Sequence, residues 1–263
     1  MTVEAGRGVV PDGVLLAAGT FTVLPVAPPS TVDAARARTA MLLAPLAVTP
    51  LALGVCAVVA LGSVLGWPGM LTGALAVGVL AVGTRVLHLD GLADTADGLS
   101  APYDRERRLA IMKSGDVGPA GVAALVLVLV LQAAALGALA ARPYGWLLAG
   151  VLVCASRAAC AIVCARPVPA AAPTGLGAAV AGSVPLAGAV AVGCFVAAAL
   201  AGAVAATGEP WWLGPLAVVA AALCVALLVR RAISVLGGIT GDVIGASVEL
   251  ALAALCVVAL TAA

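Results

Sequence analysis

Seven apolar runs, each long enough to cross a bilayer as a helix, limit what this chain can fold into. A crossing helix needs about 20 mostly apolar residues. Such runs occupy roughly 41–63, 70–89, 118–140, 144–165, 180–206, 212–229 and 244–262. The stretch 14–27 is apolar but short, carries Pro25 and runs into Pro28 and Pro29, so it reads as an interfacial or re-entrant piece. The chain is 64% hydrophobic and 10% charged. A soluble domain is nearer half apolar and a quarter charged, so this one has too little polar surface to cover a water-soluble globule. No alternating ten-residue segments of a membrane barrel are visible. The expectation is an all-α, polytopic membrane bundle of about seven spans plus the N-terminal segment, with 1–263 forming one domain.

With only two Phe, two Tyr and four Trp among 263 residues, the apolar bulk is Ala, Val, Leu and Gly. Small residues let membrane helices approach closely. The seven cysteines lie within apolar runs without a CxxC pair, and one His is too few for a zinc site. Buried, reduced thiols are expected.

Charge orients the bundle. With an inner N-terminus, the inner segments hold Arg7, Arg36, Arg38, Arg105, Arg107, Arg108, Lys113, Arg166, Arg230 and Arg231, and the outer side holds only Arg142. This is a strong positive-inside bias. The acids follow: of twelve, only Glu209 falls in an outer loop. The hydrophilic chemistry therefore sits in 88–118 and 230–249, facing the cytoplasm.

The first of these segments opens His88-Leu89-Asp90-Gly91-Leu92-Ala93-Asp94-Thr95-Ala96-Asp97-Gly98. On a helix, Asp90, Asp94 and Asp97 fall within roughly 60° of one another. Like charges so placed repel, and more strongly beside a bilayer. A hard divalent cation, Mg²⁺ or Mn²⁺, would relieve that repulsion; a solvated helix end or a proton relay are the other readings. Gly91 and Gly98 leave a bare strip for backbone or substrate. Residues 103–113 read as an amphipathic surface helix with Leu109, Ile111 and Met112 toward the membrane. Its Arg105, Arg107, Arg108 and Lys113 either set topology or offer counter-charge to a diphosphate. Asp116, before Pro119, reads as a helix cap or as a fourth carboxylate.

In the second segment, Gly237-Gly238-Ile239-Thr240-Gly241-Asp242 opens a helix and suits an anion nest or a backbone clamp, against a plain connector. Arg157 and Glu249 are unusual inside apolar runs, and Arg157 is expected to pair with an acid or a phosphate.

Phe21-Thr22-Val23-Leu24-Pro25, the string His88 to Gly98, and Gly238-Ile239-Thr240-Gly241-Asp242 with Gly245-Ala246 together resemble the cobalamin synthases. Asp94-Thr95-Ala96-Asp97-Gly98 is also similar to part of the signature of CDP-alcohol phosphotransferases. The resemblance implies a Mg²⁺-dependent, multi-pass inner-membrane transferase. Such an enzyme joins adenosylcobinamide-GDP to α-ribazole or its 5′-phosphate and releases GMP. Asp90, Asp94 and Asp97 would hold the metal. Asp116 or Asp242 would take the proton, and Arg105, Arg107, Arg108, Lys113, Arg157, Thr240 and Gly241 would bind substrate. Expected partners are these small molecules and the lipid bilayer, with no nucleic acid; an oligomer is left open. A phospholipid-forming CDP-alcohol phosphotransferase is the competing enzyme, since a prenyl-diphosphate transferase would need a second DxxxD. A secondary transporter is the competing class. Its acids would be expected mid-span with an inverted repeat, which this chain lacks.

Overall fold

The computed structural model describes residues 8–261. Among the described residues the extended regular elements are all helices; six are long and apolar enough to span, or up to seven if a bent pair counts as one. The chain is a multi-pass membrane protein.

Helix α1 (Val9–Phe21) covers 13 residues. At about 1.5 Å per residue it is too short for a bilayer core of about 30 Å, in keeping with an interfacial or re-entrant piece. Helices α2 (Ala34–Ala47) and α3 (Thr49–Leu65) follow each other as one 32-residue apolar stretch. Asp33 caps it, accepting from the N–H groups of Ala35 and Arg36. Asp12 of α1 is buried, accepts from the backbone N–H and hydroxyl of Ser30, and pairs with Arg36 of α2 at 2.8 Å. This ion pair fixes the N-terminal segment to the first span.

Helix α4 (Gly69–Gly83) does not run on to 89 as the hydropathy suggests. The chain breaks at Thr84–Val86 and turns by 91° into α5 (Leu87–Ser100). Arg85 and Val86 both adopt positive φ, 55° and 63°, a conformation that non-glycine residues hold only when their surroundings impose it. Those surroundings are visible. The Arg85 guanidinium donates to the carbonyls of Gly19 and Thr22, and the N–H of Val23 donates to Gly83.

Helix α6 (Arg105–Ile111) follows, capped by Asp104. Then come α7 (Pro119–Ala138), α8 (Gly145–Ser156) and α9 (Ala159–Val163), the last two forming one span, and the short α10 (Leu176–Val180). Helix α11 (Leu186–Ala206) starts later than the apolar run at 180. Helix α12 (Leu213–Leu236) carries Arg230 and Arg231 as its last turns, where a loop was expected. Helix α13 (Gly241–Ala259) closes the chain.

Small residues make the seams. On α4 and α7, a Cβ at Gly73 would stand 1.7 Å from the Ala133 carbonyl oxygen. Among the thiols, Cys160, Cys164 and Cys256 are buried, but Cys194 and Cys224 are exposed on α11 and α12, correcting the expectation of uniformly buried cysteines. All seven are free.

Candidate active site

The polar residues gather where the C-terminal ends of α9 and α12 meet the N-terminal ends of α7 and α13, with α5 and α6 across them. Two parallel bridges organise the loops: Ala165 pairs with Val184, and Ala170 with Ile239. The N–H of Ile239 donates to Pro169, and that of Ala171 to Ile239. Gly237 ends α12 in the left-handed region, at φ 77°, and Thr240 caps α13, accepting from the Val243 N–H. The Gly-rich segment is thus a backbone clamp that fixes where α13 begins.

Helix α5 lies directly on that beginning. A Cβ at Gly91 would come within 2.7 Å of the Asp242 carbonyl oxygen, so only glycine allows this approach. The contact brings Asp242 beside the acidic face of α5, and Asp90, Asp97 and Asp242 all bear electrostatically on Asp94. Asp90 is exposed, Asp94 and Asp242 are half-buried, and Asp97 is buried. Asp242 also accepts from the Thr240 hydroxyl and lies in the field of Asp90 and Lys113.

Asp97 has a further task. Its two carboxylate oxygens accept from the N–H groups of Gly118 and Gly121 at 2.7 and 2.9 Å. It therefore caps α7, the role the sequence suggested for Asp116. Asp116 is exposed in a surface groove lined also by Asp97, Tyr103 and Ser114. Among the described residues, no three His, Cys, Asp or Glu side chains converge closely enough to hold a metal ion as they stand.

The basic residues divide in two. Arg105 donates to the carbonyls of Leu236 and Ala171, at 2.7 and 2.5 Å, tying α6 to the clamp. Arg108 donates to Gly98, Leu99 and Tyr103 and so closes the end of α5. Both are occupied by backbone. Arg107 lies exposed over the Tyr103 ring, and Lys113 is exposed. Met112, expected to face the membrane, is instead buried against Gly98.

Behind α5 lies a cavity of about 360 Å³. Its wall combines the polar residues Lys113, Thr240, Gly241 and Asp242 with the apolar residues Phe21, Met41, Met112 and Ile244. His88 also lines it, buried and with neither ring nitrogen hydrogen-bonded. Asp90, Asp94 and Asp97 are not in its wall. Asp242 therefore stands between the cavity and the acidic face of α5. Phe21 stands out in sequence only as part of the string 21–25, and Met41 and the 172–178 segment do not stand out at all, because apolar residues and a Gly/Ala-rich loop look the same whether they line a cavity or fill a core.

Arg157 is fully buried and outside the cavity wall. It donates to Val153 and to the Ser156 hydroxyl, and the Glu249 carboxylate bears on it electrostatically. Glu249 accepts from Gln132 at 2.8 Å and stands 3.9 Å from His88. Among the described residues no carboxylate lies within ion-pair distance of Arg157, and its Nε and Nη2 have no hydrogen-bond partner.

The family model described as cobalamin-5-phosphate synthase matches residues 13–260. The chain belongs to the cobalamin-5-phosphate synthase family. A protein of a Nocardioides species is 51% identical to it over 92% of this chain and 96% of its own length. Relatives from Frankia casuarinae and Corynebacterium efficiens are 39% and 34% identical, over 92% and 94% of this chain and 92% and 90% of their own lengths. All three carry the name adenosylcobinamide-GDP ribazoletransferase. The family makes this protein a transferase of cobalamin biosynthesis. No solved structure is significantly similar to it.

Proposed function

We propose that the protein joins adenosylcobinamide-GDP to α-ribazole, or to its 5′-phosphate, and releases GMP. The observation that carries the reading is the position of Asp242, with the carboxylates of α5 on one side and a partly open cavity on the other. A transfer between an activated diphosphate and a hydroxyl needs those two compartments with a proton acceptor at their boundary.

The acceptor's ribose 3′-hydroxyl attacks the phosphorus nearer the corrinoid. A new P–O bond forms there, the bond to the bridging oxygen breaks, and GMP leaves with that oxygen. Asp242 accepts the hydroxyl proton. It is a better base than Asp116, whose groove is separate from the cavity. Positioning supplies much of the acceleration, since holding two reactants in register converts a bimolecular step into a unimolecular one.

Mg²⁺, or Mn²⁺, is the expected cofactor. Among the described residues, the carboxylates of Asp90 and Asp94 have no hydrogen-bond or ion-pair partner, and an all-oxygen donor set suits such a hard ion. Asp90 and Asp94 would hold it, with Asp97 bracing the helix that presents them. When bound, the ion neutralises charge on the diphosphate and the leaving phosphate. Arg107 and Lys113 have charged groups not tied to backbone; Arg107 would steady the diphosphate, and Lys113, in the cavity wall, a phosphate on the acceptor. The ten-to-one basic bias supports an inner-membrane protein with this site facing the cytoplasm.

The test is GMP release in proteoliposomes given both substrates, with and without Mg²⁺. Asp94→Ala should abolish release while leaving thermal unfolding in detergent near that of the unmodified protein, because Asp94 has no partner to lose. Near-normal turnover in that variant would rule the proposal out. Substrate-independent ion flux would instead favour a transporter.

A further inference from the structure

The cavity behind α5 has a chemistry that separates the substrates named above, and the inference rests on that reading of the reaction. We infer that this cavity is the acceptor site and takes a ribonucleoside whose base is an apolar fused aromatic ring, with Lys113 receiving the 5′-phosphate when one is present. Its volume of about 360 Å³ lies near the low end of small-molecule sites, roughly 300–1000 Å³. That holds one nucleoside and is far too small for a corrin ring with its side chains.

The wall decides between the two nucleosides in the reaction. Phe21, Met41, Met112, Leu176 and Ile244 present hydrocarbon and thioether to the interior. A guanine here would bury several exocyclic and ring donors and acceptors against those groups, at about 1–3 kcal/mol for each one left unpaired. A base that is mostly carbon meets no such cost. It has one ring nitrogen not bonded to ribose, and one buried polar side chain in the wall lacks a partner: His88. The rings of Phe21 and His88 lie 5.8 Å apart, tilted by 45°, leaving an aromatic edge for the base to pack on.

The polar part of the wall fits the sugar. Thr240 and Asp242 line it, and Asp242 is also the residue that meets the acidic face of α5. A ribose at Asp242 turns a hydroxyl toward the diphosphate compartment while the base packs on the apolar side chains of the wall. Lys113 is the one cationic side chain in the wall and is exposed. A phosphate at its ammonium keeps access to water, so both forms of the acceptor fit one site.

The experiment is two-substrate kinetics in proteoliposomes, varying donor and acceptor separately. Ala178, half-buried in the wall, is replaced by Trp to fill the cavity. Ala178→Trp should raise the acceptor KM by at least about tenfold and leave the donor KM within about twofold. Lys113→Ala should raise the ratio of KM for phosphorylated to free acceptor by about tenfold, a discrimination that a merely structural lysine would not show. A donor KM that moves while the acceptor KM stays would overturn the assignment, as would an unchanged ratio in Lys113→Ala. Should Ala178→Trp fail to fold, photolabelling of the unmodified enzyme with an azido-benzimidazole riboside gives the answer. Label on peptides holding Met112 or Leu176, competed by α-ribazole and not by GDP, supports the site. Label elsewhere, or competition by GDP, removes it. If the unmodified enzyme releases no GMP from the two substrates, the reaction assignment fails, and the labelling still reads the cavity.

Discussion

Asp97 on α5 holds the first turn of α7, its two carboxylate oxygens accepting from the N–H groups of Gly118 and Gly121 at 2.7 and 2.9 Å. One carboxylate of the acidic face is thus a structural joint. Asp97→Ala strips two N–H groups of a charged acceptor and should lower stability by about 2 kcal/mol, with GMP release lost as well. Asp97→Asn keeps one accepting oxygen and should recover part of the stability. Thermal unfolding of the detergent-solubilised protein, read beside turnover, checks both; equal melting of Asp97→Ala and the unmodified protein would refute the joint.

Gly91 sets the distance between α5 and α13. A methyl group at this position meets the Asp242 carbonyl oxygen at 2.7 Å and Asp242 Cα at 3.0 Å, both backbone atoms that cannot swing aside. Gly91→Ala should cost about 1–3 kcal/mol of stability, and the loss of turnover should exceed what the loss of folded protein explains. Comparing GMP release per folded molecule, with folding scored by size-exclusion profile, separates the two effects.

Arg157 and Glu249 are both buried and compensate each other's charge through the core without a direct ion pair. Removing one partner leaves an uncompensated charge in the core, a loss of about 3–5 kcal/mol, whereas removing both charges together is far milder. Arg157→Met alone should therefore fail to accumulate, and Arg157→Met with Glu249→Gln should recover much of the yield. Gln132, which donates to Glu249 at 2.8 Å, remains able to serve the amide. Yields of the single and double variants from matched membranes decide the point.

The N-terminal joint should respond to acid. The Asp12 carboxyl is lowered from 3.8 to about 2, chiefly by the Ser30 hydroxyl and then by Arg36, with burial opposing them. A depressed folded value means that the stabilisation is complete above the unfolded value near 3.8 and drains away as pH falls toward about 2. Protease sensitivity of the linkage between α1 and α2 should rise over that window in the unmodified protein. In Asp12→Asn it should already be high at neutral pH and change little with acid.

The spans were legible because bilayer crossing leaves a long, redundant signal in hydropathy, and the carboxylate face was legible because Asp90, Asp94 and Asp97 follow helical spacing. The bend at Arg85–Val86 was not, since it depends on contacts with Gly19, Thr22 and Val23 far away in sequence. Nor was the division of labour among the arginines: the Arg105 contacts to Leu236 and Ala171 are long-range. Capping of α7 went to Asp97 and not Asp116 for the same reason. A helix end can be closed by any acceptor that folding brings near, and sequence proximity identifies only one of the candidates.

The turn after Gly83 bears on the lipid as much as on the protein. Helix α4 has 15 residues, about 22 Å of rise against a hydrocarbon thickness of about 30 Å. Hydrophobic mismatch of that size draws the bilayer inward or lets water descend to the bend. Either way the headgroup plane dimples at α5, which brings the acidic face within reach of water-soluble reactants. Acyl-chain length then becomes a control on turnover, with thinner membranes favouring the enzyme.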